Sequence, residues 1–295
     1  MFAIINKGLT GIAALRVSAV PPLLKPSIKR RCWLQALGLS LLMHTSIAGT
    51  VKTVYFYNPE TSVDNFAALK TEFDSYLSGQ GDYSFQPFSE RKTFEQMLTG
   101  QNQGVYLLSS WHYAQLNAKT PLSAMLVGVV KGELLQRKIL LGKDIASLDQ
   151  LAGATIAGAG SDDYLRTQLQ QMLATRYAAL APKIKILTVP KDIDALMSVG
   201  FGMATAAIAS ESSFNKLALM NPKQQAQLKI LASGEKSFTL IAAVAKPQQQ
   251  EEKPLLSVIE AMAQQPNGEK KLKMLGLDGW KRVDAIDPAL AKQLR

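Results

Sequence analysis

The stretch S-L-D-Q-L-A-G-A-T-I-A-G-A-G, Ser147 to Gly160, followed at once by S-D-D-Y (Ser161 to Tyr164), decides the fold. Ser147 to Ala157 reads as a one-turn helix running into a short apolar strand. The turn Gly158-Ala159-Gly160 ends that strand and opens a helix expected from about Asp162 to Tyr177. A strand that hands directly to a helix is half of a crossover unit, the connection that parallel strands require.

The same alternation extends in both directions. Upstream, Val51 to Tyr57 reads as a strand ending at Asn58-Pro59. Thr61 and Asp64 form a capping box for a helix carrying Val63, Phe66, Leu69, Phe73, Tyr76 and Leu77 at helical spacing. Tyr83 to Phe88 is a second strand, Phe94 to Leu98 a short helix, and Val105 to Leu108 a buried strand feeding Ser109 to Tyr113. Ala124 to Val130 and Arg137 to Leu141 read as strands joined by a hairpin turn at Lys131-Gly132-Glu133. Downstream, strands are expected at Ile184 to Val189, Ala204 to Ala209, Leu228 to Ala232 and Phe238 to Ala245. Helices fill the intervals at Ile193 to Val199 and Ser212 to Met220, and Leu255 to Ala263 and Lys270 to Leu275 close the chain.

Regular alternation of this kind makes an α/β protein with parallel sheets flanked by helices. Gly142 to Ser147 and Ser233 to Ser237 are polar, extended passages on either side of a self-contained stretch. The expectation is therefore two lobes: residues 49–145 with 234–295 as lobe one, and 146–233 as lobe two. Two strands crossing between them would act as a hinge.

The N-terminus carries a different message. The first acidic residue is Glu60, and seven basic residues precede it, six of them within residues 1–48. Lys29, Arg30 and Arg31 stand before the mostly apolar run Cys32 to Met43, and Ser46-Ile47-Ala48 supplies small residues for cleavage after Ala48. Residues 1–48 thus read as a secretory signal with a long n-region, and Arg30 to Gln35 (R-R-C-W-L-Q) matches the twin-arginine pattern as well as an ordinary one. The run is too short for a membrane span, which needs about 20 apolar residues. Beyond Ala48 the chain has 27 basic and 23 acidic residues, a net of +4 where the whole sequence carries +10. That balance removes the main argument for nucleic-acid binding. The same segment has no cysteine and one histidine, His112, so neither a disulfide nor a thiolate or His-rich metal site is expected.

Four stretches carry a resemblance to a known family: Ser147 to Ala157, Asp192 to Ala209 (D-I-D-A-L-M-S-V-G-F-G-M-A-T-A-A-I-A), Leu228 to Ser233 (L-K-I-L-A-S), and Asn267 to Trp280 (N-G-E-K-K-L-K-M-L-G-L-D-G-W). In order and spacing the sequence resembles the phosphate/phosphonate-binding periplasmic receptors that serve ABC importers. The resemblance implies a type 2 periplasmic-binding-protein clamp that takes a small-molecule solute between its lobes. It also implies a periplasmic location, an inner-membrane ABC permease as partner, and monomeric action without a cofactor.

Independently of the family, ligands of α/β sheets sit at strand carboxyl ends, where helix N-termini offer free N–H groups. Four loops qualify. Tyr57 to Ser62 contributes Tyr57; Ser109 to Tyr113 contributes Trp111, His112 and Tyr113; Gly158 to Asp163 contributes Ser161, Asp162 and Asp163; Ser210 to Ser213 contributes Ser210 and Glu211. Each has a structural alternative: an aromatic at a strand end also serves as core, and Ser161 or Asp162 serves as an ordinary N-cap. His112 lacks a partner set for catalysis, and no enzyme activity is expected. Gly158-x-Gly160 lacks the third glycine of a dinucleotide fingerprint and the lysine of a P-loop.

Asp162 and Asp163 depart from the family, whose receptors place hydroxyls at this helix start; Ser161 alone matches. A carboxylate ~5 Å from a bound phosphonate costs about 3 kcal/mol at an effective dielectric near 20. The helix terminus returns only ~0.3–1 kcal/mol, or ~2 where partly buried. An altered ligand, one with a positive group, is one expectation. The other is a receptor of the same fold that acts as a sensor or accessory of a membrane signalling partner, with an altered or absent small-molecule site.

Overall fold

In the computed structural model, residues 51–60, 65–100 and 103–294 are described. The signal-like segment 1–48, the Thr61–Asp64 pair and Ser62 lie outside them. Eleven strands are present among the described residues: β1 Lys52–Tyr57, β2 Tyr83–Pro87, β3 Val105–Leu108, β4 Leu122–Val129, β5 Leu135–Lys143, β6 Thr155–Ala159, β7 Lys185–Val189, β8 Ala206–Ser210, β9 Leu228–Phe238, β10 Ile241–Ala245 and β11 Gly279–Arg282. The helices are α1 Phe66–Leu77, α2 Arg91–Gly100, α3 Ser110–Asn117, α4 Asp162–Leu173, α5 Tyr177–Leu180, α6 Asp192–Gly200, α7 Glu211–Met220, α8 Pro222–Gln227, α9 Lys253–Glu260, α10 Pro266–Met274 and α11 Pro288–Ala291.

These strands form two sheets, ordered β11-β4-β10-β3-β1-β2 and β7-β6-β8-β5-β9, each flanked by helices. The heart of each sheet is parallel (β1 with β2 and β3; β6 with β7 and β8), as the β-α alternation requires. Antiparallel strands complete them: β10, β4 and β11 in the first, β5 and β9 in the second. The sheets are therefore mixed rather than wholly parallel.

The Lys131-Gly132 turn exists, with Val130 and Glu133 exchanging backbone hydrogen bonds at 2.9 and 3.0 Å and both central residues at positive φ. It does not close a hairpin between sheet neighbours. The strand before it, β4, joins the first sheet, and β5 after it joins the second. The apolar run Phe238 to Ala245 is likewise two strands, broken between β9 and β10, and the chain returns to the first sheet there. The two crossings thus fall at residues 130–134 and 239–240. Of the polar passages, Ser233 to Ser237 lies within paired β9, with Ile139 opposite Ser233 and Gln136 opposite Ser237, while in Gly142 to Ser147 only Gly142 and Lys143 are paired, at the end of β5. The second sheet accordingly extends beyond residues 146–233 on both sides. β9 reads as polar because it is an edge strand whose middle is largely exposed.

Helix starts follow local chemistry. Asn65 caps α1, its side chain accepting from Ala68 N at 2.8 Å, so the helix begins after the Thr61–Asp64 pair. Ser109, Ser161 and Ser210 cap α3, α4 and α7 in the same way. Ser109 follows β3 directly, Ser161 stands two residues past the end of β6, and Ser210 is the last residue of β8.

Candidate functional site

The carboxyl ends of β1 and β2 in the first lobe face those of β6 and β7 in the second, and between them lies a cavity of ≈ 510 Å³. Tyr57, Asn58 and Pro59 enter it at the end of β1, and Phe88 and Ser89 after β2. Gly160 and Ser161 enter after β6, Thr188, Val189 and Pro190 at the end of β7, with Phe66 from the start of α1. Among the described residues the lining holds three hydroxyl groups from Ser89, Ser161 and Thr188, the phenol of Tyr57 and the Asn58 amide, but no Lys, Arg, His, Asp or Glu. Aromatic walls with a few convergent polar groups are the usual make-up of a small-molecule site.

The lobes touch directly beside this cavity. Ser161 N donates to the Pro59 carbonyl at 2.7 Å. The approach is close enough that a Cβ on Gly160, whose φ is +115°, would sit 2.5 Å from that carbonyl oxygen. The indole of Trp111, on the first lobe, meets the Tyr164 ring of the second edge-on at 5.7 Å. Arg91 lies over the Trp111 ring at 5.2 Å, pairs with Glu95 at 2.6 Å and reaches within 4.0 Å of Asp163.

Behind these contacts is a buried polar network. Glu60, carried by the loop after β1, accepts from Gln136 Nε2 at 3.2 Å and is hydrogen-bonded by the Tyr164 and Ser109 hydroxyls. Its burial pushes its carboxyl above the ordinary range, although the charge of Lys138 pulls the other way. Lys138 Nζ donates to both oxygens of Asp192, at 2.9 and 3.0 Å, and Ser210 N donates to Asp192 at 2.7 Å. Burial opposes the charge on both partners, yet their attraction wins: Asp192 titrates below its ordinary value and Lys138 above its own.

The residues singled out from sequence therefore separate. Tyr57 and Ser161 line the cavity, and Trp111 bridges the lobes at its edge. His112 is wholly buried in the first lobe, its Nε2 3.0 Å from Glu95 and its ring against Tyr57 and Phe94. Desolvation holds its pKa below the usual histidine value. Tyr113 points into the core of the same lobe and donates to the Leu294 carbonyl at 2.9 Å, away from the cavity. Ser210 is buried as a helix cap, and Glu211 faces Arg137 at 3.5 Å. Asp162 is held by Arg166 one turn along α4 at 2.7 Å, and Asp163 is exposed opposite Arg91. Phe66, Phe88, Ser89 and Thr188 were not singled out, nor were Glu60, Lys138 and Asp192. A lysine inside the apolar run K-I-L-L (Lys138 to Leu141) was the available signal for the buried pair.

The sequence matches, over residues 55–287, the family model of the periplasmic substrate-binding proteins of phosphonate ABC transporters. The chain belongs to this family. Members bind a small-molecule solute in the periplasm and work with a membrane permease. Three solved structures share the fold. XAC2383 from Xanthomonas citri, solved with a chloride ion, is 13% identical with a TM-score of 0.60, over 82% of this chain and 94% of that one. A binding-protein component of an ABC phosphonate transporter from Pseudomonas aeruginosa is 11% identical with a TM-score of 0.58, over 78% and 81%. PhnD1 from Prochlorococcus marinus, solved with methylphosphonate, is 11% identical with a TM-score of 0.57, over 82% and 96%. The sequence has no match among curated proteins.

Proposed function

We propose that this protein is a periplasmic receptor that closes on a neutral or cationic small solute and delivers it to an inner-membrane ABC permease. The observation that carries the reading is the cavity at the meeting of the two sheets' carboxyl ends, walled by aromatics and hydroxyls and without a cationic side chain among its described residues. A phosphonate dianion there would meet no compensating positive charge. The guanidinium of Arg91, which reaches Asp163 in the first turn of α4, is already engaged by Glu95, Trp111 and Asp163. Before the start of α4, the amide of the N-cap Ser161 is taken by the Pro59 carbonyl, and that of Tyr164 by the Ser161 hydroxyl. A solute with an aliphatic or aromatic body would instead pack on Tyr57, Phe66 and Phe88 and hydrogen-bond to Ser89, Ser161 and Thr188. A positive group on it would gain from the aromatic faces. The crossings at residues 130–134 and 239–240 serve as the hinge, and the leader is cut after Ala48.

A thermal-shift panel of cationic, neutral and anionic solutes tests this. Binding at 100 times Kd stabilises by about 2.7 kcal/mol, so a true ligand is readily seen. At least one neutral or cationic solute raises Tm, and Phe88→Ala or Tyr57→Ala removes the shift. Stabilisation by methylphosphonate or phosphate instead would refute the charge assignment. Silence from every class would refute the receptor reading.

A further inference from the structure

Of the seven large apolar residues exposed on the described surface, five lie at one place, the end of the second sheet remote from the cavity. Phe201 (70% exposed) and Met203 (61%) form the tip of the turn between α6 and β8; Leu219 (87%) and Met220 (60%) end α7; Ile230 (52%) opens β9. The strand register fixes their common location. Ala206 stands opposite Gly142 and beside Ile156, and Lys143 pairs with Leu228, so the starts of β6, β8 and β9 and the end of β5 share one edge. Gln224 of α8 donates to the Leu196 carbonyl at 2.7 Å and fills the space over Gly200, which brings the ends of α6 and α7 together.

Charge is arranged around this patch. Lys185 pairs in register with Thr155 at the same edge, Lys183 precedes it, and Lys223 and Lys229 flank the end of α7 and start β9. All four are exposed, and none makes an ion pair among the described residues. The acids on this side are Asp144 and Asp149, while Asp162, Asp163, Asp192, Asp194 and Glu211 stand at helix starts on the cavity side. Projecting apolar side chains ringed by lysines suit an anionic lipid surface: the apolar tips enter the interface and the long lysine stems carry their charge to the headgroups. A protein partner fits less well, because lysine is depleted from protein interfaces.

We propose that the remote end of the second lobe docks on anionic phospholipid, holding the receptor at the membrane surface independently of the cavity. The test is flotation of the exported protein with vesicles of phosphatidylethanolamine and phosphatidylglycerol, beside vesicles of phosphatidylcholine alone. The protein floats with the anionic vesicles, not with the neutral ones, and is released by high salt. Phe201→Ser with Leu219→Ser, and separately Lys223→Glu with Lys229→Glu, each lower the bound fraction at least about tenfold, given roughly tenfold or less per charge at such a surface. Unchanged circular dichroism and Tm confirm that these surface changes leave the fold intact. The proposal is overturned if the protein ignores both vesicles, or if binding survives both double variants. Sedimentation velocity supplies a third arm: a dimer abolished by the serine variant identifies a second copy as the occupant and also overturns it.

Discussion

Lys138 Nζ sits between the two oxygens of Asp192, and both side chains are almost closed off from water, 9% and 13% exposed. The pair ties β5 to the start of α6, and the backbone N–H of Ser210 completes the carboxylate's hydrogen bonds. Removing one member strands a buried charge, which costs about 3–5 kcal/mol. Lys138→Met or Asp192→Asn is therefore expected to lower Tm by on the order of 10 °C, at roughly 2–4 °C per kcal/mol for a chain of this size. The double variant loses clearly less than the sum, and urea titration of all four proteins measures the coupling. Additive losses would show that the pair is not a unit.

Asp192 has its pKa lowered chiefly because Lys138 outweighs the cost of burial. A depressed carboxylate stabilises the fold above its unfolded pKa and loses that contribution as pH falls through the folded value. Stability should drop at acidic pH, below the ordinary aspartate value of 3.8, and Asp192→Asn should flatten that limb of a Tm-against-pH curve.

Glu60 has the opposite sign. Its raised pKa means that the fold favours the protonated form, so its contribution is full below the unfolded value and declines as pH rises through the folded one. Glu60→Gln keeps an acceptor and a donor for Gln136, Tyr164 and Ser109 without the charge. The variant is expected to match the parent at low pH and to melt higher, by a few degrees, at pH 8. A lower Tm at pH 8 would mean that the ionised carboxylate is needed by Lys138.

The close passage of Gly160 under Pro59 makes a sharp steric prediction. A methyl group at this φ of +115° is strained and collides with the carbonyl at 2.5 Å. Gly160→Ala should hold the lobes apart, raising the radius of gyration in small-angle scattering and weakening solute binding at least about tenfold. An unchanged scattering curve would show that this contact does not govern closure.

The leader can be tested on protein recovered from the periplasm. Intact mass and N-terminal sequencing should place the first residue at Gly49, following cleavage after Ala48. A mature chain that retains Cys32 would contradict the reading of residues 1–48.

Much of this architecture is legible in the residues themselves. Apolar runs bounded by glycine, asparagine and proline mark the strands, and serines at strand ends mark the helix starts, because both signals are local. Sheet membership is not local. Lys131-Gly132 has the chemistry of a hairpin turn and makes one, yet the strands on either side pair with different sheets, a choice set by tertiary partners. The site divides along the same line. Tyr57 and Ser161 are visible because strand ends and helix starts point into clefts. Trp111 reaches the other lobe while Tyr113, two residues on, turns into the core, because two steps on a helix swing a side chain by about 200°. Glu60 and Lys138 find each other only across the two lobes, and no spacing in the chain announces that.

The chain after Ala48 has no cysteine, so a pair of labels can be placed cleanly on Lys119→Cys in the first lobe and Gln171→Cys in the second. Pulsed electron–electron spin-resonance distances between them, with and without a solute that raises Tm, test most directly whether two lobes close on a guest. A broad distribution without solute that narrows and shifts to shorter distance on binding is the predicted result. An identical distribution with the solute bound would contradict the clamp.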